Sequence, residues 1–120
     1  MYNILIADDE EGILDAVEIR LKSKGYNVTK ASSGKEALSK ADEIQPDLII
    51  MDIDMPPPNG YQACRQIKEN IALKHIPVIL LTSKNSDSDQ FWGMESGADA
   101  YITKPYSSID LIEKVKAFLD

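Results

Sequence analysis

Five positions in this 120-residue chain carry side chains able to do chemistry and share one setting. Asp8 and Asp9 follow the apolar run Ile4-Leu5-Ile6-Ala7, Asp52 follows Leu48-Ile49-Ile50-Met51, Thr82 follows Val78-Ile79-Leu80-Leu81, and Lys104 follows Tyr101-Ile102-Thr103. Each run reads as a strand, and in an open parallel sheet sites form beyond the carboxyl ends of the strands. One rim would then gather three carboxylates, a hydroxyl and an ammonium. Carboxylates crowded in this way repel, and at least one keeps a raised pKa unless a cation relieves it. Mg²⁺ suits the set, because it takes oxygen ligands in octahedral geometry and retains several waters; Mn²⁺ is a conceivable substitute. Asp9 and Asp52 are natural direct ligands, with Asp8 acting through water. No His or Cys accompanies them, which disfavours zinc. A carboxylate beside such an ion can be a nucleophile that forms an aspartyl phosphate. Phosphoryl transfer asks for positioning and charge neutralisation, which Lys104 and the Thr82 hydroxyl can supply. His75, just ahead of the strand that begins after Pro77, is a poor candidate for a general base and reads as a loop or capping residue.

The elements that must position these residues alternate. After the first strand, Ile13, Leu14, Val17 and Leu21 recur at helical spacing up to Gly25. Tyr26-Asn27-Val28-Thr29 reads as a second strand, and Ser33 with Glu36 as a capping box opening a helix that carries Ala37, Leu38 and Ala41 and stops before Pro46. Pro56-Pro57-Pro58-Asn59-Gly60 must be a loop, since proline cannot donate to a ladder. Tyr61 to Asn70 reads as helical, with Cys64, Ile67 and Ile71 on one face and Cys64 as a small buried hydrophobe. A fourth helix is expected near Gln90 to Ser96, and a fifth, capped by Ser107 and Asp110, bears Leu111, Ile112, Val115, Phe118 and Leu119. Five strand–helix units with continuous apolar strands imply an α/β fold, a doubly wound parallel sheet with helices on both faces, in one domain spanning residues 1–120.

Composition narrows the function classes. Hydrophobic residues make up 43 % and charged residues 28 % of the chain, which suits a globular domain. A formal net charge of -7 argues against a nonspecific grip on nucleic acid. No apolar run approaches the roughly 20 residues that span a bilayer, and the N-terminus lacks a secretion signal. Cys64 is the only cysteine, so no internal disulfide forms. The expectation is a cytoplasmic domain without membrane or direct nucleic-acid contacts.

Six ordered segments carry a family resemblance: Ile4-Leu5-Ile6-Ala7-Asp8-Asp9-Glu10, Pro46-Asp47-Leu48-Ile49-Ile50-Met51-Asp52, Met55-Pro56 with Asn59-Gly60, Leu81-Thr82-Ser83, Gly97-Ala98-Asp99-Ala100-Tyr101, and Lys104-Pro105. Over its whole length the chain resembles the receiver domains of two-component response regulators. That resemblance implies a flavodoxin-like (βα)5 sheet with strand order 2-1-3-4-5. It implies Asp52 as phosphoacceptor, Asp8 and Asp9 as the acidic pair at a Mg²⁺ ion, and the backbone carbonyl of Asp54 as a further ligand. Thr82 and Lys104 resemble the phosphate-sensing pair, and Tyr101 the aromatic switch residue. It implies a sensor histidine kinase or histidine phosphotransfer protein as donor, and a downstream protein target that reads the fourth helix, fifth strand and fifth helix, from about Asp87 to Leu119. Either a monomer or a phosphorylation-dependent dimer fits. Asp89-Gln90-Phe91-Trp92-Gly93 is also similar to stand-alone receivers of chemotaxis-like systems. The chain departs from the family at Pro57-Pro58, expected to stiffen the loop after Asp52, and carries Asp54 and Lys84 where rates of phosphoryl loss are tuned, suggesting that these two pair across the site.

Other readings stand beside this one. Taken singly, each aspartate reads as a solvated loop carboxylate, Thr82 as a strand-end hydroxyl bonding local backbone, Lys104 as a surface lysine and Tyr101 as a core-edge aromatic. Glu10 and Glu11 read as a helix N-terminal charge pair, and Trp92 as either a core residue or a partner-binding anchor. A Mg²⁺-dependent phosphatase would need a general acid and a specificity cap. A flavodoxin-like cofactor carrier would need a phosphate cradle after the first strand, where Asp8-Asp9-Glu10-Glu11 repels anions. A pseudo-receiver would not need Asp52, Thr82 and Lys104 together. The expected function is a phosphoacceptor switch with slow self-catalysed phosphotransfer and dephosphorylation, not a turnover enzyme. It would be either a single-domain messenger or one domain of a longer regulator or hybrid kinase.

Overall fold

A computed structural model describes residues 1–83 and 95–120. Its five strands are β1 (Asn3–Ala7), β2 (Asn27–Ala31), β3 (Leu48–Asp52), β4 (Val78–Thr82) and β5 (Ala100–Thr103). Among the described residues the helices are α1 (Glu11–Ser23), α2 (Gly34–Ile44), α3 (Gly60–Glu69) and α4 (Ser108–Leu119), the last being the fifth helix of the sequence reading. The helix expected near Gln90 falls largely on residues 84–94, outside the described residues.

All strand pairs are parallel, in the order β2-β1-β3-β4-β5. The expected strand order and doubly wound architecture are therefore present. The central strands β3 and β4 are buried at every position, which is why their sequences are continuous apolar runs without alternation. Neighbouring residues still face opposite ways. Leu5, Ile49, Met51, Val78 and Leu80 pack with Ala37, Ala41, Cys64 and Ile67 of α2 and α3. Ile4, Ile6, Ile50, Ile79 and Leu81 pack with Leu14, Val17 and Leu21 of α1 and Leu111 and Val115 of α4. Two apolar layers thus clamp the sheet and hold its strand ends at one level.

Local signals set where the helices begin and stop. Gly25, at φ +91°, turns the chain out of α1, a backbone conformation that costs glycine nothing. The Ser33 hydroxyl accepts from the Glu36 amide at 3.1 Å, but the Glu36 carboxylate accepts from Ser32 N at 2.6 Å, so the box expected at Ser33 closes one residue early. A complete capping box forms instead at α3, where Asn59 and Gln62 exchange side-chain and backbone bonds of 2.9 and 2.8 Å. Ser107 accepts from Asp110 N at 3.0 Å and caps α4 as expected.

One apolar assignment needs correction. Ile71 does not share the buried face of Cys64 and Ile67. The helix ends at Glu69, and Ile71 is 85 % exposed in the turn that follows. Phe118 is borne by α4 as expected and is exposed, while Leu119 beside it packs against the core. Cys64 is buried as expected, and burial pushes its thiol pKa up. His75 lies exposed in the turn before β4.

Candidate functional site

The parallel register delivers the expected side chains to one rim. Asp8 immediately follows β1, and its amide donates to Ala31 O at 3.1 Å, so the first acidic residue still belongs to the ladder. Asp52 is the last residue of β3 and Thr82 the last of β4, and both are buried. Lys104 immediately follows β5, where its amide donates to Thr82 O. The peptide bond between Lys104 and Pro105 is cis. Because two of these groups terminate fully buried strands, their positions are set by the core and not by loop conformation.

Carboxylate oxygens of Asp8, Asp9 and Asp52 all lie within 4.8 Å of one another. Lys104 Nζ donates to Asp52 Oδ1 at 3.0 Å and stands 3.8 Å from Asp8 Oδ2. Three carboxylates thus face one ammonium. Asp8 Oδ1 accepts from Glu10 N at 2.9 Å, whereas Asp8 Oδ2 is buried and, among the described residues, has no hydrogen-bond partner. A buried oxygen left in this state is costly. Burial is the main reason that the Asp8 pKa rises to about 6; the Glu10 amide opposes the rise, and the charges of Asp52 and Asp9 add to it. Burial pushes Lys104 down, but its hydrogen bond with Asp52 and the charges of Asp52 and Asp8 lift it above its ordinary value.

This donor set fits a hard divalent cation. All its candidate ligand atoms are carboxylate oxygens, the negative charge exceeds the positive, and one buried oxygen lacks a partner. Asp9, unlike Asp8 and Asp52, is exposed and closes the cluster from the solvent side.

The remaining expected residues lie near the rim or outside the described residues. Tyr101 is half-buried on β5 and packs on the layer that contains α2 and α3. The Asp54 carboxylate is exposed, and Ser83 Oγ donates to it at 3.5 Å, linking the ends of β3 and β4 across the mouth of the site. Lys84, Asp87 and the segment Asp89–Gly93 with Trp92 lie outside the described residues, and the expected Asp54–Lys84 pair falls outside them too. The Ser83 contact was not expected; its signal was a hydroxyl one residue past Thr82, just beyond the end of the strand paired with β3.

Known proteins resemble this chain in sequence and fold. The family model described as response regulator receiver domain matches residues 4–116. The alkaline phosphatase synthesis transcriptional regulatory protein PhoP of Bacillus subtilis is 40 % identical over 116 residues, covering 97 % of this chain and 48 % of that protein. The chain therefore spans about half the length of this curated relative. The receiver domain of a signal transduction histidine kinase from Syntrophus aciditrophicus superposes with a TM-score of 0.94 at 37 % identity, covering 99 % of this chain and 90 % of the other. The chemotaxis protein CheY4 of Vibrio cholerae gives 0.92 at 30 % identity, with 98 % of each chain covered.

Proposed function

Because the chain belongs to the family of response regulator receiver domains, we propose that it is a switch operated by phosphorylation of Asp52. The observation that carries this reading is the buried Asp52 carboxylate, joined to Lys104 Nζ at 3.0 Å inside a cluster that also holds Asp8 and Asp9.

An Asp52 carboxylate oxygen attacks phosphorus. The bond from phosphorus to the donor breaks, and its electron pair leaves with the donor, the imidazole of a phosphohistidine or the acetate of acetyl phosphate. Asp8, Asp9, Asp52 and the backbone carbonyl of Asp54 would hold Mg²⁺. Bound there, the ion would offset the charge that gathers on the phosphoryl oxygens. Lys104 is positioned to follow one of those oxygens once Asp52 is esterified, exchanging one anionic partner for another. Thr82, at the end of the neighbouring strand, offers its hydroxyl to a second. Movement of Thr82 toward the phosphoryl group frees room beside β5, and the half-buried Tyr101 turns inward. A pre-existing equilibrium is thereby biased toward a state with a different surface on β5 and its flanking helices.

The donor is a sensor histidine kinase or a histidine phosphotransfer protein, and the reader is a downstream protein or an output segment. The Bacillus relative is named a transcriptional regulatory protein, so a transcriptional output is one form that the readout takes in a similar protein. The test is intact-protein mass after incubation with acetyl phosphate and Mg²⁺. The unmodified chain gains one phosphoryl group and Asp52→Asn gains none; equal labelling of both would move the acceptor elsewhere.

A further inference from the structure

Two glycines at helix starts have opposite surroundings. Gly12, in the first turn of α1, faces open space, and a Cβ built there meets nothing within 4 Å. Gly34, the first residue of α2, is buried, and a Cβ there would sit 2.0 Å from the Pro58 carbonyl oxygen, 3.1 Å from Pro58 C and 3.2 Å from Pro58 Cγ. The amino end of α2 and the loop between β3 and α3 therefore touch backbone to backbone, at a distance that no side chain permits.

That loop leaves directly from Asp52. Ile53 N donates to Leu81 O at 3.0 Å, which ties the loop to β4, and the Met55 side chain is buried in the layer shared with α2 and α3. At the far end Gly60 N donates to Ile53 O at 3.2 Å, and a Cβ on Gly60 would lie 2.6 Å from both Asp52 O and Ile53 Cα. The segment 53–59 is thus fixed to β4, pressed by the start of α3, and abutted by α2 through Gly34. Proline at 57 and 58 narrows the conformations by which it can yield. A Cβ at Gly34 must push the Pro58 carbonyl away, and Pro58 belongs to the same short segment as Asp54, which leaves directly from Asp52.

We infer that Gly34 is a positioning residue for the cation site: by lacking a side chain it lets α2 seat the loop so that the Asp52 carboxylate and the Asp54 carbonyl reach the same ion. This rests on the reading of the acidic rim as a Mg²⁺ site. Residues that orient metal ligands typically change affinity by roughly 10–100-fold when altered.

The test is calorimetric titration of Mg²⁺ into the unmodified chain, Gly34→Ala, Pro58→Ala and Gly12→Ala, with urea denaturation of each without metal. Gly34→Ala should weaken Mg²⁺ binding about tenfold or more. Pro58→Ala, which loosens the same contact from a surface loop, should weaken it in the same direction. Gly12→Ala should bind as the unmodified chain does. If Gly34→Ala does not fold, Pro58→Ala decides. Unchanged Mg²⁺ affinity in a folded Gly34→Ala, or in Pro58→Ala where Gly34→Ala does not fold, overturns the inference and leaves the Mg²⁺ site standing, as does an equal loss in Gly12→Ala. An unmodified chain that binds no Mg²⁺ removes both the site and the inference.

Discussion

The two rims of the sheet each place a lysine among carbonyl or carboxylate oxygens, and they use it differently. At the amino-terminal rim, Lys68 of α3 meets Asp99 at 2.7 Å and donates to Ile76 O at 2.7 Å and to Lys74 O at 3.3 Å. Asp99 in turn accepts from Val78 N at 2.8 Å. One ammonium there faces one carboxylate and neutral carbonyls, and each group named has a partner. At the carboxyl-terminal rim one ammonium faces three carboxylates, and Asp8 Oδ2 is left without a hydrogen bond among the described residues. The first arrangement ties α3 to the starts of β4 and β5. The second is incomplete as protein alone, and the cation and phosphoryl group of the proposed switch would complete it.

The largest separation between the rims should appear in phosphoryl uptake. Lys104→Met removes the cation held against Asp52 and should slow labelling by acetyl phosphate about a hundredfold, the size of loss typical for a donor aimed at developing charge. Lys68→Met, an equal change on the other rim, should leave the labelling rate within about twofold, a difference of only some 0.4 kcal/mol in barrier. Comparable losses in both variants would erase the distinction.

Stability should respond the other way. Lys68→Met strips a donor from Ile76 O, Lys74 O and Asp99 together and should cost about 1–3 kcal/mol in urea denaturation. A midpoint unchanged from that of the unmodified chain would show that the amino-terminal network is decorative.

Legibility in the sequence follows the same division. The carboxyl-terminal rim was readable because each of its groups ends an apolar run, so strand register alone brings Asp8, Asp52, Thr82 and Lys104 together. The amino-terminal rim was not, since Lys68 sits on a helix and Asp99 ahead of a strand, and only the packing of α3 makes them meet. The Asn59–Gln62 box has a visible spacing, but the neighbouring prolines drew the segment into a loop reading. Ile71 continued a helical spacing beyond the end of α3 at Glu69; the carboxamide of the following Asn70 accepts instead from Ala72 N at 2.8 Å. The contact of Gly34 with Pro58 leaves no trace in local pattern, because it depends on how α2 and the β3–α3 loop meet.

A pH series sharpens the comparison further. The Asp8 pKa is raised from 3.8 to about 6 in the folded chain, so the folded state holds its proton more tightly than the unfolded one. The stabilising effect of that proton is complete below about pH 4 and is lost as pH rises through about 6. Without metal, the urea midpoint should receive a declining contribution across this window, absent in Asp8→Asn, and Mg²⁺ should restore stability at the upper end. A midpoint whose pH profile is the same in Asp8→Asn and the unmodified chain would contradict this. The smallest effect expected is at the cap of α3. Asn59→Ala should cost about 1 kcal/mol and leave labelling of Asp52 intact, which the same denaturation and mass measurements check.

The most direct measurement is the dependence of Asp52 labelling on the cation. The unmodified chain is incubated with acetyl phosphate in Mg²⁺ and, in parallel, in excess chelator, and the mass of the intact protein is read over time. The unmodified chain should gain one phosphoryl group with Mg²⁺ and none on the same timescale with chelator. Equal labelling in both, or none in either, would contradict it.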